Sequence, residues 1–229
     1  MISYDMIKTD DIRSYFYTEL RQENFITDKN GGKLIEMLGA CFIADKPSIF
    51  GTPKEDYIKR EIAWYSSQIG NVNAIEGDTP EAWKLAANDY GQVNSNYGQL
   101  IWSDKYFNQY GRTLDELLQN QDGRRATMVY NRPSIWEEYN EEGKSDFICT
   151  NAVTYYIRDD KLFAVVQMRS NDVVFGYKND YAWQLYVLNE LIRDYNDCRA
   201  EADNDITAGD IIWQVQNMHV YERHFHLVK

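Results

Sequence analysis

The chain has 229 residues, 44% of them hydrophobic, and a formal net charge of −12. That length and apolar content suffice for one domain with a large core, while the acidic balance excludes general binding to a nucleic-acid backbone, which needs a basic stripe. Three cysteines, Cys41, Cys149 and Cys198, show no CxxC spacing, which argues against both a disulfide framework and a structural zinc site.

The N-terminus, Met1-Ile2-Ser3-Tyr4-Asp5, lacks a basic region followed by an apolar stretch, and no apolar run is long enough to cross a bilayer. A cytoplasmic, reducing setting is expected. Four prolines and no linker, repeat or low-complexity tract suggest a single domain over residues 1–229.

Thr9-Asp10 predicts the start of a helix through about Glu23, and Leu34 to Ala44 predicts a strand with a bulge at Gly39. Thr52-Pro53 and Thr79-Pro80 each combine a cap with a first-turn proline, so two further helices are expected, the second beginning at Glu81-Ala82-Trp83. Leu114 to Leu118 suggests a short helix and Arg125 to Tyr130 a strand. Ala152 to Ile157 and Leu162 to Met168 read as strands joined by the turn Arg158-Asp159-Asp160-Lys161, hence a hairpin. Asp180 to Tyr195 carries Trp183, Val187, Leu188, Leu191 and Ile192 at helical spacing, and Ile206 to Val220 reads as a final strand or pair of strands. The expected class is α+β.

Two segments carry the chemistry: Phe147-Ile148-Cys149-Thr150-Asn151, and Gln167 to Asp172 followed by Gly176 and Asp180. A thiol is a good nucleophile as thiolate, and a guanidinium such as that of Arg169 favours that form, so Cys149 is the candidate nucleophile; a small buried strand residue is the alternative. Asp180 is acceptor-only when ionised, which suits the exocyclic amino group of cytosine and repels O4 of uracil, although its position also suits a helix cap. Glu61 lies three residues before Trp64 on one helix face, where a solvated glutamate is also an ordinary finding. Arg124-Arg125 follows a turn and could equally be solvated. His219 and Tyr221 alternate along a strand and share a face. With no paired cysteine or acidic ligand at suitable spacing, the histidines at 219, 224 and 226 are not read as a metal site.

The order Glu61 with Trp64, Tyr97-Gly98, Arg124-Arg125, Cys149, Arg169-Ser170-x-Asp172, Gly176, Asp180 and His219-x-Tyr221 resembles the thymidylate synthase superfamily over nearly the whole chain, most closely its deoxycytidylate hydroxymethylase branch. The resemblance implies a thymidylate synthase-like mixed β-sheet with helices packed on one side. It also implies transfer of a one-carbon unit from 5,10-methylenetetrahydrofolate to C5 of dCMP, with Cys149 adding to C6, water completing a hydroxymethyl group, and no metal.

By the same resemblance Glu61 orders water and relays protons, with Asp172 and Tyr97 among the polar surroundings of that water. Arg169 and Ser170 bind the phosphate from within the subunit, while Arg124 and Arg125 reach the partner's phosphate across a homodimer interface. Lys29 is a further phosphate contact, His219 and Tyr221 bond the sugar 3′-hydroxyl, and Asp172 and Trp83 contact the folate.

The chain departs from thymidylate synthases in carrying Thr150 where they have histidine, and Lys178-Asn179-Asp180 where they have proline-phenylalanine-asparagine. Both departures point to the hydroxymethylase branch. The family's C-terminal segment that closes over folate is expected to be missing after Lys229. Two alternatives stay open: a dUMP methylase or hydroxymethylase, and a nucleotide-binding homologue without turnover.

Overall fold

A computed structural model describes residues 7–28, 31–199 and 205–229; Lys29, expected at the phosphate, lies outside the described residues. In chain order the elements are α1 (Thr9–Arg21), β1 (Ile26–Thr27), β2 (Lys33–Ile43), α2 (Glu55–Ser66), α3 (Glu81–Ala86), α4 (Tyr97–Trp102), α5 (Gln109–Gln119), β3 (Thr127–Val129), α6 (Ile135–Glu138), β4 (Thr150–Arg158), β5 (Lys161–Asp172), α7 (Gly176–Asp197) and β6 (Thr207–Tyr221). Short 3-10 turns fill several of the connections. The described residues form two compact units: one takes the chain up to Pro53 together with Tyr155–Lys229, the other Lys54–Thr154.

The larger unit is built on a mixed sheet. Its strands lie in the order β1-β2-β6-β5-β4, with β2 antiparallel and β5 parallel to β6. A parallel neighbour requires a crossover, which α7 supplies between β5 and β6. Trp183, Val187, Leu188 and Leu191 of α7 are at most 1% exposed, as are Ala164, Val166, Met168 and Trp213 of the sheet. Each fully buried aliphatic side chain contributes about 1.5–3 kcal/mol. Helix α1 starts where the Asp11 carboxylate accepts the Lys8 N–H at 2.7 Å, and it buries Ile12 and Phe16. The strands' alternate residues, among them Tyr156, Phe163, Val165, Ile212 and Gln214, are only partly covered.

The turn after β4 has positive φ at both central residues, Asp159 (50°) and Asp160 (54°), the handedness that matches strand twist in a two-residue hairpin. The expected bulge at Gly39 is absent, because Leu38↔Asn217 and Ala40↔Val215 keep one register across it. The irregularity lies instead between Leu162 and Ala164 of β5, where a Cβ on Gly209 would come within 2.9 Å of the Phe163 ring. The last strand is a single one of 15 residues.

The smaller unit is mostly helical, with β3 pairing antiparallel to Ala152–Thr154 of β4. Its first helix begins at Glu55, just after the Thr52-Pro53 signal, and α5 extends the expected Leu114–Leu118 segment in both directions. Helices α4 and α6 had no sequence expectation. Among the described residues no helix is long and apolar enough to cross a membrane.

Candidate active-site groups

In the smaller unit α2 turns Glu61 inward with Trp64 and Tyr65, and Glu61 is 5% exposed, so it is not a solvated helix residue. Tyr57, one turn earlier on the same face, donates its hydroxyl to Glu61 Oε1 in a short hydrogen bond. The Trp83 indole N–H meets the same oxygen at 2.9 Å and the Tyr57 hydroxyl at 3.0 Å. Burial pushes the Glu61 carboxyl above the usual carboxylate range, and the two donors only partly offset it. Burial, reinforced by Glu61, also raises the Tyr57 hydroxyl and keeps it a donor. A buried carboxyl in this condition can take up or release a proton in general acid–base work.

Cys149 is half-buried, with Sγ 3.9 Å from the Phe147 carbonyl oxygen. Two attachments hold its flanks. Before it, the Asp146 carboxylate accepts the backbone N–H groups of Asn94 (2.6 Å) and Ser95 (2.8 Å) and the Ser95 hydroxyl (2.6 Å). After it, the Thr150 hydroxyl donates to Tyr97 Oη at 3.1 Å. Tyr97 opens α4, where Asn96 caps the helix by accepting the Gln99 N–H, and its ring stacks on Tyr65 with centroids 5.2 Å apart. A Cβ on Gly98 would come within 1.9 Å of the Tyr65 carbonyl oxygen, so the Tyr97-Gly98 motif is a close backbone approach that only glycine permits. Arg124 and Arg125 lie on an exposed turn, where Arg125 pairs through two nitrogens with Glu116 (3.1 and 3.3 Å) and not with another candidate residue.

In the larger unit the parallel register of β5 and β6 sets Asp172 opposite His219 and Ser170 opposite Asn217. The rings of His219 and Tyr221 are 4.9 Å apart, as their alternation implies. Asp172 Oδ1 accepts the N–H groups of Val174 (2.8 Å) and Phe175 (2.6 Å), donors left over at the start of α7, and Oδ2 stands 3.8 Å from His224 Nδ1. Burial opposes the charge on Asp172, but His224, the Phe175 N–H, His219 and the Val174 N–H together hold its carboxyl below the usual range. Burial depresses His219, which therefore stays neutral at neutral pH, able to donate from one ring nitrogen and accept at the other.

Asp180 lies inside α7, whose N-cap is Phe175, so it is not a helix cap. Its Oδ2 accepts the Asn171 amide at 2.8 Å. Arg169 and Ser170 are half-buried on β5. Among the described residues no group of three His, Cys, Asp or Glu could hold a metal ion.

The geometry thus joins Glu61 with Trp83, Tyr97 with the neighbour of Cys149, and Asp172 with His219. Sequence reasoning missed Tyr57, Asp146 and Asn171. Tyr57 carried a usable signal, since residues four apart meet on a helix face. Asp146 carried none, because its partners lie about fifty residues away. Asn171 sat unnoticed between two motif residues, Ser170 and Asp172.

Over 228 residues, 100% of this chain and 92% of theirs, the chain is 50% identical to the deoxycytidylate 5-hydroxymethyltransferases of Enterobacteria phages T4 and T2. It is 26% identical to the thymidylate synthase of Fusobacterium nucleatum over 171 residues, covering 72% of this chain and 56% of that one. Residues 54–229 match the thymidylate synthase family. The chain therefore belongs to the thymidylate synthase family.

Proposed function

We propose that the protein transfers a one-carbon unit from 5,10-methylenetetrahydrofolate to C5 of dCMP and hydrates it, giving 5-hydroxymethyl-dCMP and tetrahydrofolate. The observation that carries this reading is 50% identity along the whole chain to enzymes named for that reaction. Asp180 supports it chemically: an acceptor there suits the exocyclic amino group of cytosine, and a buried acceptor left unmatched by uracil costs binding.

In this reading the Cys149 thiolate forms a bond to C6, and the electron pair displaced from the C5–C6 double bond makes C5 nucleophilic. C5 bonds to the methylene carbon, loses its proton, and the folate nitrogen leaves. The oxygen of a water molecule then adds to the exocyclic methylene, and expulsion of Cys149 from C6 restores the double bond. Glu61, buried and inclined to hold a proton, orders the water and passes protons. Tyr97, bonded to Thr150, lines the same polar surroundings. Arg169 and Ser170 take the phosphate, and neutral His219 with Tyr221 takes the 3′-hydroxyl. Folate supplies the one-carbon unit at the formaldehyde oxidation level; Trp83 and Asp172 are its proposed contacts.

A homodimer belongs to the same proposal. The partly covered sheet face bearing Phe163, Val165 and Ile212 is the surface a second copy would cover, and exposed Arg124 and Arg125 would reach the partner's phosphate. A bacterial cytoplasm is the compartment proposed for this work.

Release of tritium from C5-labelled dCMP and dUMP, followed with absorbance for dihydrofolate, tests the reading. Release from dCMP without dihydrofolate is expected. Release from dUMP with dihydrofolate would make the protein a thymidylate synthase, and release from neither would leave a nucleotide-binding homologue.

A further inference from the structure

We infer that Asn171 is a specificity-determining positioning residue: by presenting an N–H to residue 180, it fixes the orientation in which the Asp180 carboxylate meets the base. The inference rests on the dCMP reading and adds to it a residue outside the substrate contacts.

Asn171 is 3% exposed, at the end of β5. Its amide bridges two groups: Trp213 Nε1 lies 3.2 Å from Asn171 Oδ1, and Asn171 Nδ2 lies 2.8 Å from Asp180 Oδ2. The two ends of an amide look alike, so their assignment must come from the partners. Here it is unambiguous, because an indole N–H can only donate and must meet the amide oxygen. The NH₂ group therefore faces Asp180. Trp213 is itself fully buried in β6, so the orientation is set from the core and does not depend on the ligand.

An N–H directed at residue 180 requires an acceptor in return. With aspartate there, the N–H fixes the carboxylate plane through Oδ2, and the group meets the exocyclic amino group of a 4-aminopyrimidine as an acceptor in one orientation. With asparagine there, the same N–H would take the amide oxygen and turn the NH₂ toward the base, which suits a 4-oxopyrimidine. Asn171 thus translates the identity of residue 180 into base selection. Without it, an asparagine at 180 could turn either end to the base, and an aspartate would stay an acceptor but lose the fixed orientation that discriminates between bases.

The test is the ratio of kcat/KM for C5 tritium release from dCMP and dUMP, in the full-length protein. Asn171→Ala should lower the dCMP:dUMP ratio by about tenfold, the effect of one misplaced hydrogen bond. Asp180→Asn should favour dUMP, and adding Asn171→Ala should erode that preference too. A merely structural role would depress both rates together and leave the ratios alone. Trp213→Phe, which keeps the bulk but removes the pinning donor, should lower the wild-type ratio by a few-fold, and it carries the test if Asn171→Ala does not fold. Folded variants that both keep the wild-type ratio would overturn the inference while leaving the dCMP reading intact. A wild-type protein that prefers dUMP would overturn the reading beneath it.

Discussion

The smaller unit buries Glu61 and Asp146, and the larger unit nearly buries Asp172, yet the three carboxyls end in different states. Burial raises Glu61 and Asp146, whereas Asp172 is held low. The number of hydrogen bonds does not explain the difference: Asp146 accepts two backbone N–H groups and a hydroxyl, and Asp172 accepts two backbone N–H groups. What Asp172 has in addition is two imidazole rings, His224 at 3.8 Å and His219 across the strand pair. At Asp146 burial outweighs its three donors and Lys144 together, whereas at Asp172 the His224 ring and the Phe175 N–H, with lesser parts from His219 and the Val174 N–H, outweigh burial. The smaller unit therefore holds a carboxyl that can exchange a proton, and the larger unit holds a fixed anion at the root of α7.

The largest expected effect separates these roles. Glu61→Gln should cut kcat for dCMP by about 10²–10⁴, the usual loss when a general acid–base group is removed, with a small change in thermal stability. Asp172→Ala should do more to stability, about 1–3 kcal/mol by thermal or denaturant unfolding, because two helix-start N–H groups lose their acceptor. If Asp172→Ala left stability unchanged, the fixed-anion account would fail.

The pH dependence of stability sharpens the contrast. Asp172, depressed in the folded protein, contributes stability that is present above the ordinary carboxylate range and is lost as pH falls through its lowered value. Glu61, raised, contributes stability that is present below the ordinary range and is lost as pH rises through its elevated value. Melting temperatures across pH should therefore show Asp172→Asn flattening the acid side and Glu61→Gln removing a decline above the ordinary carboxylate range.

A smaller effect is expected at Tyr57. Its hydroxyl lowers Glu61 against the pull of burial, so Tyr57→Phe should move the acid limb of the kcat/KM profile to higher pH and cost a few-fold in rate. An unmoved limb would mean that the ionisation of Glu61 does not set that limb.

Much of this was legible in the sequence because the signals were local. The two-residue turn at Asp159-Asp160, the period of α7 and the shared face of His219 and Tyr221 all follow from rules acting over a few residues. Helices α4 and α6 were not legible, being short and fixed by contacts such as Gly98 against the Tyr65 carbonyl. The bulge expected at Gly39 did not form, although that glycine takes a positive φ of 71°; the register shift falls where Gly209 meets the Phe163 ring of a neighbouring strand, which sequence spacing does not display. At the site, the residue types of Cys149, Glu61 and Asp180 announced their chemistry. Asp146 is held by partners 51 and 52 residues away, and Asn171 is oriented by Trp213, 42 residues away, so both supports had to be seen in the fold.

The most direct measurement is a trapping experiment with 5-fluoro-dCMP and methylenetetrahydrofolate, because fluorine at C5 cannot leave as a proton does and should arrest the reaction after carbon transfer. Mass spectrometry of the digested protein is predicted to find nucleotide and folate together on the peptide carrying Cys149, with no adduct in Cys149→Ala. An adduct that forms with 5-fluoro-dUMP but not with 5-fluoro-dCMP, or that survives Cys149→Ala, would contradict the account.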